Sequence, residues 1–308
     1  MDVPEQVSLV EVGPRDGLQN EKAIVSTEDK VAWIHALVDS GLSYIELTSF
    51  VHPKWVPALN DAKDVVQQVK RKKGVTYAAL VPNMKGLEGA LEANVDEVSV
   101  FMSASDTHNR KNINKTIEAT YPVLKEVIDE ALHAGKSVRG YVSTVFGCPY
   151  EGTISPAHAL AVTEKLLDFG CREVSLGDTI GVAGPTQVEN VLSTFLQTLP
   201  RESLALHFHD TRGTALANTL TGLQHGITTF DGACGGLGGC PYAPGAAGNV
   251  ATEDVVYMCK QMGIQTGVKE EKLVQAAERI SQHVSRPLTS RALSIYRSGE
   301  PGNKGGGD

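Results

Sequence analysis

The segment Val7-Ser-Leu-Val-Glu-Val-Gly-Pro-Arg-Asp-Gly-Leu-Gln-Asn-Glu-Lys22 decides the fold. Its apolar run, Val7 to Val12, stops at Gly13-Pro14, and Arg15-Asp16 follows at once. It reads as a buried strand that delivers a cation and a carboxylate side by side at its end. Burying such a pair merely to hold a fold is rarely profitable, because desolvation cancels most of the attraction. The pair is better suited to holding a metal and a developing negative charge. The turn also lacks the GxGxxG pattern that a doubly wound dinucleotide-binding sheet carries after its first strand.

Working outward, short β-rich runs alternate with helical patterns. Strands are expected over 8–12, 44–48, 77–81, 97–102, 138–144, 173–176, 205–208 and 229–231. Helices are expected over 27–40, 58–72, 85–93, 113–134, 156–169, 185–199, 214–225 and 252–262, with Thr27 as the first cap. Pro156 and Pro185 suit first helical turns, and Gly41, Gly135, Gly170 and Gly226 suit helix ends. Eight strand–helix units imply a closed (β/α)8 TIM barrel. One further helix is expected over 269–284. Residues 1–295 read as a single catalytic domain, and residues 296–308 as a Gly-rich, mobile tail.

The 308 residues are 41% hydrophobic, enough for a sizeable core, and carry a net charge of −8. That charge argues against nucleic acid as a partner. The densest basic cluster, Lys70-Arg-Lys-Lys73, reads as a solvated helix end. No apolar run approaches the ~18 residues that span a bilayer. The opening Met1-Asp-Val-Pro-Glu-Gln6 resembles neither a signal nor a transit peptide, so a cytoplasmic location is expected. Five cysteines, an odd number without a CxxC, argue against a disulfide framework or a structural zinc site.

In such a barrel the site lies at the C-terminal ends of the strands. There the sequence places Arg15-Asp16, Glu46, Thr48-Ser49, Arg139, Ser143-Thr144, Asp178-Thr179, His207 and His209. Histidines two apart on a strand share a face. Taken alone they could be hydrogen-bonded core residues, but Asp16 nearby makes an oxygen–nitrogen ligand set for a hard to borderline cation. Asp210 points away from the pair, and it or Thr211 would cap the helix that follows. Arg15 could simply pair with Glu46 or Asp178; beside a ligand, it is better placed to stabilise an oxyanion. Residues 235–249, rich in Gly, Pro and small residues, read as a lid carrying one thiol, Cys240.

Five segments then resemble the 3-hydroxy-3-methylglutaryl-CoA lyases, bacterial forms in particular. They are Glu11-Val-Gly-Pro-Arg-Asp-Gly-Leu-Gln-Asn-Glu21, Ser143-Thr-Val-Phe-Gly-Cys-Pro-Tyr150, Ser175-Leu-Gly-Asp-Thr-Ile-Gly181, Leu206-His-Phe-His-Asp-Thr-Arg-Gly213 and Gly235-Gly-Leu-Gly-Gly-Cys-Pro-Tyr-Ala-Pro-Gly245. The Arg-Asp and His-x-His elements alone place the chain only among metal-dependent lyase and aldolase barrels. The Cys-Pro-Tyr-Ala-Pro-Gly lid narrows it to the lyase.

The resemblance implies a divalent metal, Mg²⁺ or Mn²⁺, and cleavage of an acyl-CoA, HMG-CoA, to acetyl-CoA and acetoacetate in leucine breakdown. It carries metal ligation onto Asp16, His207, His209 and Asn249. It also makes Cys240 and Arg15 catalytic, and places Glu46 and Asp178 in the site. Asp16, His207 or a water at the metal would take the hydroxyl proton. Arg15, Gln19, Glu46, Arg139 and Asp178 form the expected substrate-binding group. A homodimer is expected. The tail lacks the regulatory cysteine of eukaryotic members. The rivals are a lyase for a longer-branched analogue, a condensing enzyme or aldolase on the same barrel, and a non-catalytic binding barrel.

Overall fold

The computed structural model describes residues 2–239 and 248–299. Its strands are β1 (Ser8–Glu11), β2 (Tyr44–Ser49), β3 (Thr76–Leu80), β4 (Glu97–Ser103), β5 (Ser137–Ser143), β6 (Glu173–Asp178), β7 (Leu204–Phe208) and β8 (Thr229–Gly232). They pair in chain order, all parallel, and β1 closes on β8 from Ser8↔Thr229 to Glu11↔Gly232. This is the expected (β/α)8 barrel. Helices cover its outside: α1 (Thr27–Asp39), α2 (Ala62–Gln68), α3 (Met84–Glu92), α4 (Asp106–Ile113), α5 (Ile117–His133), α6 (Pro156–Asp168), α7 (Pro185–Phe195), α8 (Ala215–Gln224) and α9 (Thr252–Gln261). Two more, α10 (Glu270–Ser281) and α11 (Arg291–Ser298), follow the last unit.

Five local expectations are corrected. Ser26, not Thr27, caps α1, its hydroxyl accepting from Asp29 N at 3.1 Å. The expected helix over 58–72 is a 3₁₀ turn, Pro57–Leu59, followed by the short α2, and Val69 is already extended. Lys70 to Lys73 are exposed, as expected, but lie beyond the helix. The span over 113–134 begins only at Ile117, because Asn114 takes a left-handed backbone (φ 56°) that ends α4 and Thr116 caps α5 anew. The C-terminal region holds two helices instead of one. Asp254 on α9 accepts from the amides of Arg291 and Ala292, at 3.1 and 2.9 Å, and so docks the start of α11.

Successive strand side chains face opposite ways. On β5, Val138, Gly140 and Val142 face the helices, while Arg139 and Tyr141 enter the lumen; β7 likewise alternates Leu204, Leu206 and Phe208 with Ala205 and His207. Inward positions in such barrels are commonly branched aliphatics. Here they include a charge network. Arg139 Nε donates to Glu173 at 2.7 Å and Nη2 to Asp231 at 2.7 Å; Ser175 Oγ donates to Asp231 at 2.8 Å. Lower in the lumen, Tyr44 Oη and Arg172 both donate to Glu97, each at 2.5 Å.

The side chains of Arg139 and Asp231 are completely buried. Removing one member of such a network strands the others in low dielectric, at a cost of about 3–5 kcal/mol. Arg139→Met is therefore expected to lower unfolding free energy by roughly that amount, read from urea denaturation. An unchanged midpoint would mean that the lumen charges do not hold the barrel.

Candidate active site

β1 runs into a single π-helical turn, Gly13–Gly17, in which the amides of Arg15, Asp16 and Gly17 converge on Val12 O at 3.1, 2.7 and 3.3 Å. Such tight turns recur at functional sites. This one brings Asp16 against β7. One potential ligand atom from each of Asp16, His207 and His209 lies within 4.8 Å of the others. Asn249 completes the group: its backbone bridges His209, and its Nδ2 donates to Asp16 Oδ2 at 2.7 Å and Leu237 O at 3.1 Å.

That leaves Asn249 Oδ1 and His209 Nδ1 buried with no hydrogen-bond partner among the described residues. Buried polar atoms are nearly always satisfied, and a divalent cation would satisfy both. Burial and the neighbouring His207 lower His209 to about 4, which leaves its ring neutral and able to ligate at neutral pH. Burial opposes ionisation of Asp16, but Arg15, the two histidines and Asn249 outweigh it and hold the carboxyl at about 2. A carboxylate, two neutral imidazoles and an amide oxygen fit a hard or borderline cation.

Arg15 lies across the rim. Its Nε donates to Glu46 Oε2 and its Nη1 to Asp16 Oδ1, both at 2.5 Å, and the guanidinium carbon sits 5.3 Å from the centre of the Tyr141 ring. Among the described residues Nη2 has no hydrogen-bond partner, so one edge of the fork is free for an anionic oxygen. Gln19 Nε2 donates to Asp16 Oδ1 at 2.9 Å, which places Gln19 at the same rim. Glu46 is fully buried and acts on Arg15, as one of the sequence readings had it.

Two of the expected substrate-binding side chains lie away from the mouth. Arg139 is buried beneath the ligands, with its guanidinium engaged by Glu173 and Asp231. Asp178 is also fully buried. Its two oxygens accept from Val182 N at 3.0 Å and Ala183 N at 2.9 Å, so it shapes the loop after β6 instead of projecting into the mouth. Asp210 serves α8, as expected, by accepting from Ala215 N at 3.0 Å. Cys240 lies outside the described residues. Asp231, which holds His207 Nδ1 at 3.1 Å, was missed. Its signal was a charged residue in the middle of a buried strand.

The described residues just before Cys240 form a braced neck. Gly238 adopts φ +110°, and a Cβ there would come within 2.6 Å of Asn249 Nδ2, so the close approach requires glycine. Gly238 O accepts from Arg286 Nη2 at 2.5 Å and Gly239 O from Asn20 Nδ2 at 3.2 Å. Below the neck, Glu11 accepts from the amides of Gly13 and Cys234 and the Thr252 hydroxyl, and Glu253 accepts from Gly235 N. Burial pushes Glu11 up to about 7 and Glu253 up to about 8.

The chain is similar to known proteins over nearly its whole length. The HMGL-like family model matches residues 6–280. The hydroxymethylglutaryl-CoA lyase YngG of Bacillus subtilis is 58% identical over 298 residues, covering 97% of this chain and 100% of that protein. The human mitochondrial hydroxymethylglutaryl-CoA lyase is 50% identical over 289 residues, 94% of this chain and 89% of its own length. Among solved structures, the B. subtilis HMG-CoA lyase superposes with a TM-score of 0.95 at 58% identity, covering 96% of this chain and 100% of that one. An Acinetobacter baumannii HMG-CoA lyase in complex with coenzyme A and 3-methylmalate gives 0.91 at 38% identity, covering 99% and 98%.

The raised Glu253 makes the neck sensitive to pH. The folded protein holds this proton more tightly than the unfolded chain, so the stability it contributes is complete below about 4.5 and is lost as pH rises through about 8. Glu253→Gln removes the titrating group. Its denaturation midpoint relative to the parent is expected to rise steadily from pH 5 to pH 8.5. A constant difference would contradict the assignment.

Proposed function

The chain belongs to the HMGL-like family, and on that premise we propose that it is a divalent-metal-dependent carbon–carbon lyase that cleaves 3-hydroxy-3-methylglutaryl-CoA to acetyl-CoA and acetoacetate. The observation that carries this reading is one juxtaposition. The free edge of Arg15 stands beside the Asp16, His207, His209 and Asn249 cluster at the barrel mouth. Near-full-length relatives named for this reaction support it, as does a structural neighbour solved with coenzyme A.

The substrate has a tertiary alcohol β to a thioester carbonyl. When bound by the four ligands, Mg²⁺ or Mn²⁺ would supply Lewis acidity and a template for the alcohol and carboxylate oxygens. Asp16, whose carboxylate faces the point shared with the two histidines, is the protein group placed to take the hydroxyl proton. As that proton leaves, the O–H electron pair becomes the ketone π bond of acetoacetate. The C2–C3 pair moves onto C2, giving the enolate of acetyl-CoA. Arg15 donates to the thioester oxyanion through the guanidinium edge that Glu46 and Asp16 leave open. Cys240, assigned from the family pattern of its loop, returns a proton to C2 as a neutral thiol.

The test is incubation of metal-stripped protein with HMG-CoA, with and without Mg²⁺ or Mn²⁺. The expected result is metal-dependent appearance of acetyl-CoA and acetoacetate in equal amounts; no products with any metal, from folded protein, would contradict it. Arg15→Gln is expected to cut turnover by on the order of 10²–10³-fold with the fold retained by circular dichroism. Near-normal turnover would remove Arg15 from the chemistry.

A further inference from the structure

His207 is the most closely held of the ligand group. Its Nδ1 lies 3.1 Å from Asp231 Oδ2 on the neighbouring strand β8, where His207 and Asp231 are register partners. Its ring also packs edge-on against Tyr141, with centroids 6.3 Å apart. Asp231 cannot move to suit another partner. Its Oδ1 accepts from Arg139 Nη2 at 2.7 Å, its Oδ2 accepts from Ser175 Oγ at 2.8 Å, and Arg139 is itself anchored by Glu173 at 2.7 Å. Every other group around this carboxylate is a donor. Its remaining capacity is therefore to accept a proton, and the group facing it is His207 Nδ1.

We propose that Asp231 is a positioning residue for the metal centre: it accepts the Nδ1 proton of His207, fixes that tautomer, and so turns an unprotonated Nε2 toward Asp16 and His209. The inference rests on the reading of His207 as a metal ligand and goes beyond it. A histidine ligand whose second nitrogen donates to a carboxylate is fixed in ring orientation and is more basic at the ligating nitrogen. The chain Glu173–Arg139–Asp231–His207 thus transmits the lumen charge network to the ligand set. It gives the buried Arg139 a role in the site without contact with substrate.

Asp231→Asn changes this with little change of shape. Arg139 Nη2 retains the amide oxygen in the place of Oδ1, and the amide N–H₂, in the place of Oδ2, turns toward His207 Nδ1 and toward the Ser175 hydroxyl, which can accept from it. His207 is then driven to the tautomer protonated on Nε2, which cannot ligate. Mn²⁺ affinity, measured by electron paramagnetic resonance titration, is expected to fall 10- to 100-fold in Asp231→Asn and to change little in Ser175→Ala. The tautomer is read independently in the unaltered, metal-free protein. Long-range ¹H–¹⁵N spectra, with His207 assigned by loss of its signals in His207→Gln, are expected to show the proton on Nδ1. That spectrum decides the matter even if Asp231→Asn fails to fold.

A proton on Nε2, or unchanged Mn²⁺ affinity in folded Asp231→Asn, overturns the proposal and leaves the metal centre standing. Absence of Mn²⁺ binding by the unaltered protein overturns the metal reading, and the proposal with it.

Discussion

Charge buried in the barrel lumen is the constraint on which the rest of the structure depends. A guanidinium with no exposure is tolerated only if carboxylates surround it, since the desolvation cost of an unpaired ion would exceed what the fold can bear. Arg139 meets that condition with Glu173 and Asp231. The arrangement then dictates what stands above it. Asp231 faces His207, and Tyr141 packs against two cations, with Arg139 at 4.8 Å and Arg15 at 5.3 Å from its ring centre. Arg15 in turn meets Glu46 and Asp16. Two tiers of paired charge thus fill the upper barrel, and Asp16 joins the ligand group to the upper one. Such fixed dipoles and charges are preorganised for a reaction that develops negative charge.

The C-terminal region braces this centre from outside. Asp254 holds the start of α11, Arg286 ties Glu21 at 2.9 Å and Gly238 together, and Thr289 N donates to Gly235 O at 3.1 Å. These contacts grip both the loop after β1 and the neck formed by residues 238 and 239. Asn249, packed against that neck, joins the ligand group. The two helices beyond the eighth unit therefore belong to the site's support as well as to the fold.

Much of this was legible in the sequence, for identifiable reasons. Parallel strands buried on both faces leave apolar runs that local reading detects, and each expected strand lies within two residues of its observed position. Arg15-Asp16 and His207-x-His209 were visible because charge and imidazole at strand ends have few structural explanations. The misreadings share another cause. The break between α4 and α5 turns on a single left-handed residue, Asn114, with Thr116 capping the next helix two residues on. Arg139 and Asp178 have residue types that suit a substrate site, but other groups engage them: Asp231 lies on β8, 92 residues from Arg139, and the loop amides of Val182 and Ala183 hold Asp178. Asp231 escaped notice because its role exists only once β7 and β8 are side by side.

The account's central claim is that Asp16, His207, His209 and Asn249 form one cation site above the lumen network. Diffraction recorded at the manganese absorption edge, from crystals of the full chain grown with Mn²⁺, tests it most directly. The account predicts one strong anomalous peak enclosed by those four side chains. A manganese peak elsewhere, or none within reach of His207 and His209, would contradict it.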